Sequence, residues 1–196
     1  MARPNFSNRD FLDAALAIAA EQGPAAATVG SITQLLRAPT GSFYHRFPSR
    51  DALLGELWLR TAVAFQEGMH AAAEAGDWLG VALHTPRWVR EHLDEGRLLM
   101  LYHRDDFAQG QWPPALSEGV AAQTRGLEAA FSRFAHEVLG DARPERVRIA
   151  QFVLAEVPVG AVRQHLRRRE PPPAIVDELI RTTFDAFVAT YRRHGG

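Results

Sequence analysis

Apolar residues recur every three or four positions along nearly the whole chain, in runs that Gly and Pro cut into helix-sized lengths, while the alternation that marks strands is scarce. This pattern restricts the chain to an all-α fold of about nine helices. Ser7 stands before the first run with Asp10 three residues on, a capping-box spacing, and Gly23-Pro24 ends that run. Phe11, Ala14, Ala15, Ile18 and Ala19 form its inner face. Thr28 caps a second, short run with Val29, Ile32 and Leu36 inward. Pro39 suits the first position of a third, where its missing N–H is not needed. Phe47-Pro48 stops the third, and Ser49 caps a long fourth helix reaching about Ala75, with Asp51 at its positive end.

Beyond Gly76, the marks Pro86, Gly96, Gln109 to Pro114, Gly140 to Pro144 and Pro171-Pro172-Pro173 leave room for five more helices. Pro86 is expected to kink the fifth rather than end it, because apolar periodicity resumes at Trp88. The 196 residues suit at most two domains. The boundary is expected at residue 50: a three-helix head, 1–50, and a helical remainder, 51–196.

The absence of cysteine excludes disulfides, thiolate metal sites and a cysteine nucleophile. No uncharged stretch is long and apolar enough to cross a membrane, and the N-terminus lacks a secretion-type apolar run, so a cytoplasmic protein is expected. Every basic residue is arginine, and the first 50 residues carry five against three acids, which points to the head as any polyanion-facing part. His103-Arg104-Asp105 echoes a kinase loop but has Gly110 where Asn is needed. Glu67-x-x-His70 has the spacing of a di-iron pair but lacks its second copy. No enzyme, metal or cofactor is expected.

Two short helices joined by a tight turn and packed by a leading helix form a helix-turn-helix arrangement, although structural bundles also begin this way. The segment from Thr28 to Leu54, above all Gly41-Ser42-Phe43-Tyr44-His45-Arg46-Phe47-Pro48-Ser49-Arg50, resembles the DNA-binding domain of the tetracycline-repressor-like (TetR) family over about residues 8–60. The resemblance implies a homodimer on double-stranded operator DNA, released when a small molecule enters the C-terminal domain. A recognition helix this short offers only its N-terminal residues and one stripe to the major groove, here Thr40, Gly41, Ser42, Tyr44 and His45. Arg50 in the first turn of the fourth helix, and Thr28 at the cap of the second, are candidate phosphate contacts. Phe43 and Phe47 read as core. Arg37 departs from the family pattern, which has a turn glycine there, and is either strained or reaching for DNA. Pro39 and Thr40 replace a commoner Ser-Lys or Ser-Arg pair.

A mostly apolar effector is expected among helices four to eight, with walls from Phe65, Met69, Trp88, Met100, Phe131 and Phe152. Polar handles would come from His92, His103, Gln123 or Glu156. Glu156 is otherwise exposed or held in an intersubunit ion pair. The small residues Ala115, Gly119, Ala122, Gly126 and Ala129 permit close approach along the seventh helix. Ile175, Leu179, Ile180, Phe184, Phe187, Val188 and Tyr191 give the last helix more apolar surface than a lone amphipathic helix exposes, and mark a dimer interface. The main alternative is a helical small-molecule carrier that has lost DNA binding.

Overall fold

The computed structural model describes residues 6–107 and 114–192. The helices are α1 (Asn8–Gln22), α2 (Val29–Leu36), α3 (Thr40–Tyr44), α4 (Arg50–Glu74), α5 (Trp78–Glu91), α6 (Leu93–Leu101), α7 (Pro114–Leu139), α8 (Pro144–Gln151), α9 (Val157–Arg168) and α10 (Ile175–Arg192). A π turn, Phe152–Glu156, joins α8 to α9 without a break, so these amount to nine helical rods among the described residues. The widened turn ends two residues before Pro158, whose ring and missing N–H are incompatible with a regular bond back to Leu154.

The caps follow from side chains. Ser7 accepts from the Asp10 N–H, and the Asp10 carboxylate takes the Ser7 N–H at 2.6 Å. Thr28 and Ser31 do the same for α2, and the Ser49 hydroxyl accepts from the Ala52 N–H at 3.0 Å. Pro39 lies one position earlier than expected, as the N-cap of α3. Gly96 lies inside α6, and the break falls at His92, whose φ of −132° and ψ of 61° leave the helical region. Pro86 sits within α5, which continues past it.

The chain forms two compact units. The first comprises the described residues of Met1–Ala62 and Asp94–Val120. Phe11 meets Phe43 edge-on at 5.8 Å and Phe47 at 6.2 Å, and Ile32, Leu53, Leu54 and Leu57 close around them. Leu98 and Phe107, distant in sequence, complete this core. Arg97, 6% exposed, donates from Nε to the Ala20 carbonyl at 2.8 Å and so satisfies one of the free carbonyls at the end of α1. The unit therefore extends past the boundary expected at residue 50, because an alanine-rich α1 and two short helices bury too little apolar surface by themselves.

The second unit comprises the described residues of Val63–Leu93 and Ala121–Gly196. Trp78 packs edge-on against Phe134 at 5.4 Å, and Phe134 against Phe184 at 6.1 Å. Val81, Val89, Val153, Leu154, Val162, Leu166 and Ile180 fill the remaining core. Arg90 donates to the carbonyls of Pro172 and Pro173 and to Asp177, which ties the proline link and the start of α10 to α5. Arg169 ends α9 in the left-handed region, with Arg167 and Arg168 in the last turn, where their charge complements the helix dipole.

Candidate functional site

The α2–α3 turn rests on one unusual backbone position. Arg37 adopts φ 53° and ψ 36°, the left-handed conformation that favours glycine, while the Ala38 N–H bonds back to the Thr33 carbonyl at 2.9 Å. The turn the sequence pattern asks for is thus made with an arginine in the glycine's place. α3 is anchored by Phe43, fully buried, so the residues on either side of it are forced outward. Thr40, Gly41, Tyr44 and His45 are exposed, Tyr44 by 58%, and Ser42 is half-buried. Gln34, Leu35 and Arg37 extend the same exposed surface from the end of α2. Gln34 and Leu35 escaped the sequence reading because their spacing from Ile32 and Leu36 gives no apolar or charged signal.

Two expected DNA-binding residues have internal partners. The Thr28 hydroxyl is engaged with Ser31 in the cap of α2. Arg50 donates from Nε to the Ala27 carbonyl at 2.9 Å, from one terminal nitrogen to the Pro24 carbonyl at 2.6 Å, and from the other to Asp51 at 3.1 Å. All three nitrogens hold the α1–α2 link against the start of α4.

In the second unit, Phe65 on α4 meets Trp88 on α5 edge-on at 5.1 Å, Trp88 packs on the tilted ring of His92 at 4.8 Å, and Met69 is buried on the same helix as Phe65. Phe131 is buried on α7 and Gln123 half-buried. The other candidates lie elsewhere. Phe152 and Glu156 sit in the π turn: Phe152 packs on Phe187 at 5.4 Å, and both carboxylate oxygens of Glu156 engage Arg148 of the same chain. Met100 and His103 belong to the first unit, Met100 buried in α6 and His103 exposed, its N–H held by Asp106.

Three polar side chains outside the expected sites stand in the second unit's interior, among them His70, which the sequence pairs with Glu67. His84 donates from Nε2 to the Phe65 carbonyl at 2.7 Å, since a carbonyl only accepts, and its ring covers Gly68. Burial holds its pKa below the usual histidine value, with the Phe65 bond acting the other way. The Gln66 side-chain oxygen and His70 Nε2 are buried without any hydrogen-bond partner. Their signal was the pairing Phe65-Gln66 and Met69-His70, polar residues one turn apart beside apolar ones.

The expected interface residues of α10 divide. Ile180 and Phe184 are core, Phe187, Val188 and Tyr191 are half-buried, and Ile175 and Leu179 are exposed by 51% and 59%. Phe152, Phe187 and Tyr191 form a continuous aromatic row.

A buried three-helix head with an exposed α2–turn–α3 tip, followed by a second helical unit, defines a helix-turn-helix DNA-binding protein. Residues 11–57 match the bacterial regulatory proteins of the tetR family. The match assigns the head of the chain to that family. The chain's fold is shared with the fatty acid degradation regulator FadR from Bacillus halodurans, at 12% identity and a TM-score of 0.66, covering 93% of this chain and 98% of that one. FadR from Bacillus subtilis, solved in complex with stearoyl-CoA, is similar at 15% identity and 0.67, with the same coverage. The ketosteroid transcriptional regulator KstR2 of Mycobacterium tuberculosis is similar at 16% identity and 0.59, covering 96% of both chains. No curated protein matches the chain significantly in sequence.

Proposed function

We propose that the protein is a cytoplasmic, non-catalytic repressor that binds operator DNA as a homodimer and leaves it when a small, mostly apolar molecule occupies the second unit. The observation that carries this reading is the tip of the head, where Arg37, Thr40, Gly41, Tyr44 and His45 are exposed around a fully buried Phe43. Ser42 completes the surface that faces the groove. Arg50 and Thr28 act from behind it by fixing the link and the cap, and the N-terminus of α2 adds a backbone site for phosphate.

A dimer supplies two heads for two half-sites. Its interface is assigned to the bare Ile175 and Leu179 and to the aromatic row Phe152–Phe187–Tyr191, because apolar side chains this exposed call for a partner surface. Among the described residues no helix is long and apolar enough to cross a membrane.

The test is a gel shift on the DNA upstream of the protein's own gene, with and without a ligand that raises its melting temperature. A coupling of roughly 1–3 kcal/mol lowers DNA affinity about 5- to 150-fold. Equal affinities would end the reading of ligand control. Phe187→Glu is expected to give monomers with weak DNA binding, and an unaltered dimer in sedimentation would move the interface elsewhere.

A further inference from the structure

We propose that the effector is an uncharged, largely apolar alcohol whose hydroxyl is held between Gln66 and His70; this rests on the ligand control proposed above and names the chemistry of its site. Gln66 is only 7% exposed, yet its side-chain oxygen has no donor, and on the half-buried His70, one turn further along α4, the buried Nε2 is equally alone. A buried polar atom without a partner costs on the order of 1–3 kcal/mol, and two on one face of one helix mark a place where a bound molecule supplies what the protein withholds. The face is close-packed against α7 at Gly126, where an added Cβ would lie 3.1 Å from the His70 ring. Gln123 stands one turn before Gly126 on that helix.

The hydrogen-bond inventory selects the group. Side chains four apart on a helix have Cβ atoms about 5–6 Å from one another, so one ligand atom can reach both. A hydroxyl accepts from His70 Nε2–H and donates its own hydrogen to the Gln66 oxygen, which satisfies both. A ketone accepts from His70 and leaves Gln66 unpaired. A carboxylate or phosphate sets an acceptor against the Gln66 oxygen and brings a charge that needs a cation. The arginines of α5 and α7 are committed elsewhere: Arg87 and Arg90 pair with Asp177, Arg133 pairs with Glu137, and Arg125 is turned to solvent. The apolar body would lie against Phe65 and Met69, which flank the two polar residues along α4.

The probes are 1-octanol, 2-octanone and octanoate, titrated into the full-length protein with melting temperature and binding by calorimetry as readouts. Octanol is expected to bind about five- to tenfold more tightly than the ketone and to exceed octanoate by more, the gap being one buried hydrogen bond. Gln66→Leu and His70→Leu should each remove that preference, and Gln66→Met serves if the leucine variant folds poorly. Octanoate binding as well as octanol, no binding by any of the three, or a preference for octanol that survives in a folded Gln66 variant would each overturn the assignment. Running the gel shift on the same samples separates the two claims. If octanoate releases DNA and octanol does not, ligand control stands and the alcohol assignment falls. If octanol binds through Gln66 and His70 but leaves DNA affinity unchanged, the site stands and ligand control falls.

Discussion

The tip of the head and the interior of the second unit treat polar side chains in opposite ways. In the head, the polar groups behind the surface are paired: Ser7 with Asp10, Thr28 with Ser31, Arg50 with two carbonyls, Arg97 with a third. What is left bare lies outside, on α3 and the turn. In the second unit the surface ions pair with one another, as Arg148 does with Glu156, and the groups without partners lie inside, at Gln66 and His70. A rigid paired frame suits a surface that must keep its shape against DNA. An interior with unmet hydrogen bonds suits a unit completed by a guest, and therefore sensitive to it.

The sharpest way to break this contrast is to loosen the frame. Phe43→Ala removes a fully buried ring that touches Phe11 and Phe47, and should cost about 3–5 kcal/mol. Chemical denaturation should then show the first unit unfolding before the second. One transition at the wild-type midpoint would mean that Phe43 does not support the frame.

Arg50→Ala comes next. It strands the carbonyls of Pro24 and Ala27, which are partly buried, and should destabilise the first unit by about 1–3 kcal/mol while leaving the exposed residues of α3 unchanged. Tyr44→Ala and His45→Ala should do the reverse, shifting stability by no more than about 0.5 kcal/mol while lowering DNA affinity. If Arg50→Ala keeps full stability and loses only DNA affinity, with a salt slope reduced by about 1, its guanidinium is a phosphate contact and not a brace.

The same contrast explains what the sequence disclosed. The head was legible down to its caps, because Ser7, Thr28 and Ser49 act within four residues of themselves and Phe43 follows helical period. Its extent was not, because Leu98, Phe107 and Arg97 join it through contacts about 40 to 80 residues long that leave no local pattern. In the second unit the aromatic residues Phe65, Trp88 and His92 came together as their types suggested. Phe152 and Glu156 did not, since a π turn rotates everything after Gln151 away from the register that a regular helix would give. Gln66 and His84 stayed hidden, and His70 was read only beside Glu67, for a simpler reason: a polar residue in an amphipathic helix is ordinarily on its wet side.

Acid should separate the two units by smaller amounts and in a definite order. His84 is held below its usual value by burial, so the unfolded chain binds the proton more readily; its contribution is intact above about pH 6.5 and is lost as pH falls through the depressed value. Asp10 is lowered, chiefly by the backbone N–H of Ser7, so the α1 cap persists until the pH drops below the ordinary carboxylate range. Between about pH 6 and 4 the second unit should therefore weaken first, and His84→Gln should flatten that part of the profile. A parallel loss in both units, unchanged by His84→Gln, would show that the buried imidazole does not set the acid response.

The smallest effect is the one that tests why the head keeps a strained residue. An L-residue in the left-handed region carries about 1–2 kcal/mol of local cost, against which glycine loses about 0.5–1 kcal/mol through its freer unfolded state. Arg37→Gly should therefore stabilise the first unit by less than about 1 kcal/mol, read as a rise in its melting midpoint. Arg37 is exposed, as Tyr44 and His45 are, and its charge is one of few in the head not drawn into the frame. Deleting it should weaken DNA binding and reduce the salt slope by about 1, the signature of one phosphate contact. Stability and affinity thus move in opposite directions, which no purely structural role for Arg37 predicts. If Arg37→Gly raises the midpoint and leaves affinity and salt slope as they were, the arginine is only a tolerated substitute for glycine, and the bare surface that reads DNA begins at Thr40.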